Sequence, residues 1–265
     1  MTDAPSAPMA FLGLDFIPLD RPAALAAVLA KSEARAPFVY VATPNVAHIV
    51  ALHKDVAARR GLYEDAWLVL NDSRILEMLA RWSGLALPVA AGSDLSQDLA
   101  EAGLSKQEPI TIVGGTAQLV ADLAQKYGWS DIRWHSPPMG LATNPAALEA
   151  AAAFVAAQNA RVSFLCVGAP QQEMLARAIM RRGDATGVGL CVGASMEFLA
   201  GHVARAPLWM QRARLEWLHR LASEPGRLWR RYLVEGPEVF RIWQCWHQER
   251  ARAASRASMA SRNAR

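Results

Sequence analysis

Short runs rich in β-branched and aromatic residues alternate with stretches of helical spacing through the first two hundred residues, and few folds accept that order. The runs are "FVYVAT", "AWLVL", "ITIVGG", a weaker "IRWHS", "VSFLCVGAP" and "GVGLCVGAS". Between them lie "VAHIVALHKDVAARR", "RILEMLARWSG", "TAQLVADLAQKYG", "NPAALEAAAAFVAAQN" and "QQEMLARAIMRRG", with "RPAALAAVLAKSEA" ahead of the first. Repeated strand–helix alternation with short connections predicts parallel βαβ units, that is, an α/β fold with a mostly parallel sheet and helices on both faces. Such sheets bind ligands at the C-terminal ends of their strands. The residues that follow each run therefore carry the most information: Thr43 and Asn45, Asp72, Gly114 and Gly115, Gly168 through Glu173, and Gly193.

The strand signals stop near residue 202, where the chain becomes rich in Arg and Trp. The expected organisation is a catalytic α/β core over 1–201, a helical appendage over 202–249 and a disordered basic tail over 250–265. Charge follows the same division. Residues 201–265 carry 13 arginines and 5 acidic residues, a balance of +8, against −4 for the first two hundred. A segregated basic end suggests a polyanionic partner: nucleic acid, an anionic membrane or a phosphorylated substrate. No apolar run approaches the roughly 20 residues that span a bilayer. The start, "MTDAPSAPMA", does not read as a signal peptide, which leads to the expectation of a cytoplasmic protein. Cys166, Cys191 and Cys245 fit neither a zinc site nor a disulfide framework.

Each candidate residue has two readings. Asp72, directly after "AWLVL", is placed to act as a general base or to cap the helix beginning near Arg74. Thr43 and Asn45 of "TPN" can orient a sugar hydroxyl or a phosphate, or can form a cap and turn with Thr43 at the N-cap and Pro44 at the first helical position. Gly114 and Gly115 would let a phosphate approach the backbone at a helix start, although neither a full G-x-G-x-x-G nor a P-loop is present. In "GAPQQE", Gln172 and Glu173 suit sugar or uracil edges, while Glu173 also suits the first turn of a helix. The six histidines are scattered and no D-x-D occurs, so no metal site and no cofactor are expected.

Together, "TPN", "NDS", "GSDL", "IVGGT", "VGAPQQE", "VGASMEFLAGHVARAP" and "LEWLHRLASEPGRLWRRYL" resemble the WecG/TagA/CpsF family of bacterial glycosyltransferases, in order and at suitable intervals from about residue 12 to 240. The resemblance implies a Rossmann-like core with a helical C-terminal appendage that helps complete the active site and engages the membrane. It implies inverting, metal-independent transfer of a sugar from a UDP-sugar, often of the N-acetylmannosamine type, to a polyprenyl-diphosphate-linked saccharide at the inner membrane face. By that likeness Asp72 is the base. Thr43, Asn45, Gln172 and Glu173 line the substrate site, and Arg220, Arg227, Arg230 and Arg231 are the arginines of the tail. The chain departs from the family pattern at Ser73, where Gly is usual, at Gln171 (Lys), at Met196-Glu197 (Phe-Asp) and at Val89, where the family has a candidate phosphate-binding Arg.

On a helical wheel of residues 227–233, Leu228, Trp229, Tyr232 and Leu233 share one arc, and Arg227, Arg230 and Arg231 share the opposite one. That pattern suits an anionic membrane surface, and equally a helix packed on the core with solvated arginines outside. Two other classes stay in view: an Arg-rich nucleic-acid-binding protein, for which no binding motif appears, and an NAD(P)-dependent oxidoreductase, which the incomplete glycine fingerprint opposes. No nucleic-acid partner is expected, and a homo-oligomer formed by cores with undocked tails is compatible with the sequence.

Overall fold

The computed structural model describes residues 5–34, 36–203, 207, 210, 216–223 and 225–263. The side chains at 102, 216, 217, 220, 227, 228, 230–232, 254 and 256–263 lie outside that description. The chain opens with a two-residue hairpin turn between β1 (Met9–Phe11) and β2 (Leu14–Phe16), in which Leu12 and Gly13 have φ of 49° and 85°. Two successive positive φ values match the twist of a tight hairpin.

Among the described residues the main sheet has six strands, all parallel: β3 (Val39–Ala42), β4 (Leu68–Val69), β5 (Ile110–Val113), β6 (Ile132–His135), β7 (Val162–Leu165) and β8 (Val188–Cys191). Their spatial order is β4-β3-β8-β7-β5-β6. Strands β3, β5, β7 and β8 are buried along their whole length, as expected of strands covered on both faces. The weaker run, β6, is an edge strand and only partly buried. From β5 the chain steps outward to β6, whereas from β7 it steps back to β8. The neighbouring strands β5 and β7 thus send their connections in opposite directions, which makes the gap between them the topological switch point.

One face of the sheet buries Val41, Ile112, Phe164 and Leu190 with residues of α1 (Arg21–Glu33), α5 (Gly92–Asp98), α6 (Ala117–Tyr127) and α9 (Ser195–Ala200). The other places Tyr40, Val113, Leu165 and Cys191 against α7 (Pro145–Gln158) and α8 (Gln171–Arg182). The stretch read as one helix after "TPN" is two, α2 (Val46–Lys54) and α3 (Val56–Glu64). Asp55 ends the first and caps the second, its carboxylate accepting from Ala58 N at 3.1 Å.

Beyond the core lie α10 (Glu216–Ser223), α11 (Pro225–Trp229), a π-helical segment Arg230–Glu235 and α12 (Glu238–Asn263). Because Arg230–Glu235 is π-helical, a wheel at α-helical spacing does not describe residues past Trp229. The segment 250–265, expected to be disordered, continues α12 as far as Asn263. Its Ala and Arg content supplies strong intrinsic helix formers. The first turns of α12 dock on the start of the chain: Val239 is buried among Phe11, Val50 and Leu76, and the rings of Phe11 and Trp246 meet edge to face at 5.1 Å. Trp243 Nε1 donates to Ser83 Oγ at 2.9 Å, and Lys54 lies 3.5 Å from Glu238.

Candidate functional site

The C-terminal ends of β4, β3 and β8 bring together residues far apart in sequence. Thr43 follows β3 directly, one step past the Ala42–Cys191 pairing of β3 with β8. Its hydroxyl donates to Cys191 O at 3.1 Å, and the residue is buried. The hydroxyl is therefore engaged across the sheet, and Thr43 is not the cap of α2. That cap is Asn45, whose Oδ1 accepts from Ala47 N at 3.1 Å while its own backbone N–H donates to His48 Nδ1 at 3.1 Å, closing a capping box.

Asp72 follows β4 and is half-buried. Its backbone N–H donates to Pro44 O at 3.1 Å, which joins the β4 turn to the "TPN" turn. The helix α4 (Arg74–Trp82) is capped by Ser73, whose hydroxyl accepts from Leu76 N at 3.3 Å, so Asp72 is not the cap. Asn71, a residue that sequence reasoning passed over, organises the turn. It is buried, its Oδ1 accepts from Ser73 N at 2.9 Å, and its Nδ2 donates to Pro88 O at 3.3 Å. Gly92 is the second residue missed. A Cβ there would lie 2.7 Å from Thr43 Oγ1 and 3.3 Å from Val192 Cγ1, so the start of α5 packs on Thr43 only because it lacks a side chain. The motif "GSDL" was visible in the sequence, but the contact that needs its glycine was not.

Gln172 and Glu173 open α8 on the far side of β8. Both are buried. Gln172 Oε1 accepts from Gly193 N, in the turn after β8, at 2.8 Å, and its Nε2 donates to Glu173 Oε1 at 2.9 Å. Burial pushes the Glu173 carboxyl up to about 7, opposed by the Gln172 hydrogen bond and more weakly by Arg59. Its other oxygen, Oε2, is buried with no hydrogen-bond partner among the described residues.

Gly114 and Gly115 lie at the switch point, with φ of 105° and 71°. A Cβ on Gly114 would stand 2.7 Å from Cys166 O, so the loops after β5 and β7 touch through bare backbone. Four inter-strand spacings separate β5 from β4, about 19 Å at the usual ~4.8 Å each. The β4–β3–β8 cluster and the glycine pair thus belong to one edge but not to one contact set, and an extended ligand is needed to reach both. Arg220, Arg227, Arg230 and Arg231 lie on the helical turns of the appendage, and their side chains are outside the described residues.

A cavity of about 370 Å³ lies beside this edge, between α3 and α8, lined by Arg59, Leu62, Pro170, Met174, Arg177 and Arg181 among others. Arg177 and Arg181 both pair with Asp65, at 2.5 and 3.3 Å, and none of Thr43, Asp72 or Gly114 lines the cavity. The open sheet edge, which collects the polar groups and the switch point, is the stronger candidate site. Among the described residues, no three His, Cys, Asp or Glu side chains are grouped as a metal site requires, and no helix is long and apolar enough to cross a membrane. The sequence model of the Glycosyl transferase WecG/TagA/CpsF family matches residues 9–255, taking in the hairpin, the whole sheet with its loops and the docked part of α12. The chain therefore belongs to that family of glycosyltransferases of cell-surface polysaccharide synthesis.

Proposed function

We propose that the protein transfers a hexosyl, N-acetylhexosaminyl or uronosyl group from a UDP-sugar to a polyprenyl-diphosphate-linked saccharide, with inversion and without a metal. Asp72 is the base: it takes the proton from an acceptor hydroxyl, whose oxygen attacks the anomeric carbon from the face opposite the departing UDP. One observation carries this assignment. Ser73 caps α4, and Asp72 is held half-buried at the sheet edge by the bond from its own backbone N–H to Pro44 O. Thr43 and Asn45 flank it and orient the reacting sugar. At the switch point, Gly114 and Gly115 let the uridine end of the donor lie against bare backbone, which leaves the diphosphate, one oxygen away from the anomeric carbon, toward Asp72. Arg220, Arg227, Arg230 and Arg231, borrowed from the appendage, neutralise the leaving nucleotide, the role that a metal fills in other transferases.

The lipid-linked acceptor stays in the bilayer, so the enzyme works peripherally at the inner membrane face. Support comes from Leu218, Trp229, Leu233, Val234 and Phe240, large apolar side chains left exposed along the appendage and the start of α12, within a strongly basic segment. The core 1–201 then holds the reaction centre and the residues after it supply phosphate and membrane contacts. The test is UDP release across UDP-hexose, UDP-N-acetylhexosamine and UDP-uronate donors, with and without a lipid-diphosphate-linked acceptor. Release that requires both one donor class and the acceptor is expected. No acceptor-dependent release with any donor contradicts the proposal.

A further inference from the structure

We propose that Gln172 and Glu173 form a buried relay that sets the turn after β8, which makes Glu173 a positioning residue of the transfer site rather than a group that touches substrate. The inference rests on the transfer reading above for its functional consequence, but its geometry stands alone. A Gln amide has a donor end and an acceptor end. Here the donor end, Nε2, is taken by Glu173 Oε1 at 2.9 Å, which leaves Oε1 facing Gly193 N–H at 2.8 Å. A flipped amide would set its NH₂ against that N–H. Glu173 therefore fixes the direction of the amide, and the amide fixes Gly193, whose φ of 54° marks a turn that few other residues accept.

What this turn holds is the reaction edge. Cys191 O, two residues before Gly193, accepts from Thr43 Oγ1, and Val192 packs where α5 meets Thr43. Thr43 continues into Pro44, whose carbonyl accepts from Asp72 N–H. A shift of the β8 turn is thus handed to Asp72 through the Thr43 hydroxyl and the Pro44 carbonyl. Glu173 itself is out of reach of a ligand: it is buried, with Tyr40 of β3, Cys191 of β8, and Arg59 and Tyr63 of α3 as the titratable and charged groups that sense it or act on it. Among the described residues its Oε2 is buried without a hydrogen-bond partner, an arrangement that a side chain kept only for packing would avoid.

The test uses the full chain with two readouts, hydrogen exchange at the Gly193 amide and steady-state transfer. In Glu173→Leu the Gly193 amide should exchange about tenfold faster or more, and kcat should fall about tenfold with the donor KM little changed. Glu173→Gln keeps an acceptor at the same place and should recover most of both losses. Gln172→Met, which leaves Glu173 in place, should speed exchange at Gly193 as Glu173→Leu does. Unaltered Gly193 exchange in both Glu173→Leu and Gln172→Met overturns the relay. So does Glu173→Gln being as inactive as Glu173→Leu, since the carboxyl itself would then be needed. Gly193 exchange requires no substrate, so a wild-type chain that transfers no sugar overturns the transfer reading while the relay is still judged by exchange.

Discussion

The two halves of the sheet's C-terminal edge are built on opposite plans. At β4, β3 and β8 nearly every polar group is committed: Thr43 to Cys191 O, Asn45 to the start of α2, Asn71 to Ser73 and Pro88, and Gln172 to Gly193. At β5 and β7 the edge is glycine backbone in close contact, Gly114 against Cys166. The first half is suited to holding a few side chains in fixed positions, and the second, where Gly114 N–H already donates to His135 O and Gly114 O accepts from Trp134 Nε1, to close approach of a nucleoside over bare backbone. A glycosyl transfer needs both, rigid orientation at the reacting carbon and an open cradle for the nucleotide.

Four substitutions probe that division. The largest effect is expected at Asp72. Asp72→Asn keeps the shape of the turn and should lower kcat by at least ~10²-fold and up to ~10⁴-fold, with an unchanged far-UV spectrum. Near-normal turnover would show that the rigid half does not hold the base.

Glu173 tests the rigidity itself through pH. Its folded-state value near 7 lies above the ordinary 4.5, so the folded chain keeps this proton where the unfolded chain has released it. Stability should fall as pH rises from about 4.5 to about 7 and then level off, with about 3 kcal/mol lost in all. Urea unfolding at pH 5, 6, 7 and 8 measures this. In Glu173→Gln the fall attributable to this group should vanish, and an identical pH slope in the two proteins would contradict the burial of an ionisable carboxyl there.

Gly114→Ala forces a Cβ to 2.7 Å from Cys166 O at a φ of 105°, and should cost about 1–3 kcal/mol of stability together with much of the affinity for UDP. Calorimetry with UDP reads the second effect, and undiminished binding would remove the glycine half from the site. The smallest change is Thr43→Val, which gives up the bond to Cys191 O for about 1 kcal/mol. It should reduce kcat more than stability, and equal modest losses in both would make Thr43 a purely structural link.

Much of this fold was legible because its strands are buried on both faces and so appear as uninterrupted apolar runs. The edge strand β6, half-buried, was correspondingly faint. Other features were hidden for identifiable reasons. The α2–α3 break carries neither Gly nor Pro, and its one signal is Asp55 acting as a cap. Helices α5 and α9 are short, with little room for a 3.6-residue period. The disorder expected after residue 250 followed from low hydrophobicity, although Ala and Arg favour the helix that forms. At the candidate site, Asp72, Thr43 and the glycines were found because they follow strands. Asn71 and Gly92 were missed because their roles depend on contacts with Pro88 and Thr43 across loops, and those contacts have no local signature. The docking of α12 rests on pairs such as Ser83 and Trp243, 160 residues apart, which no local pattern encodes.

The most direct measurement is a crystal structure of the full chain with UDP bound. The nucleotide is predicted to lie along the C-terminal edge of the sheet, its uridine end at Gly114–Gly115 and its diphosphate directed toward Asp72. UDP bound on another side of the molecule, or in the arginine-lined cavity between α3 and α8 with the sheet edge empty, would contradict the assignment of this edge as the site of transfer.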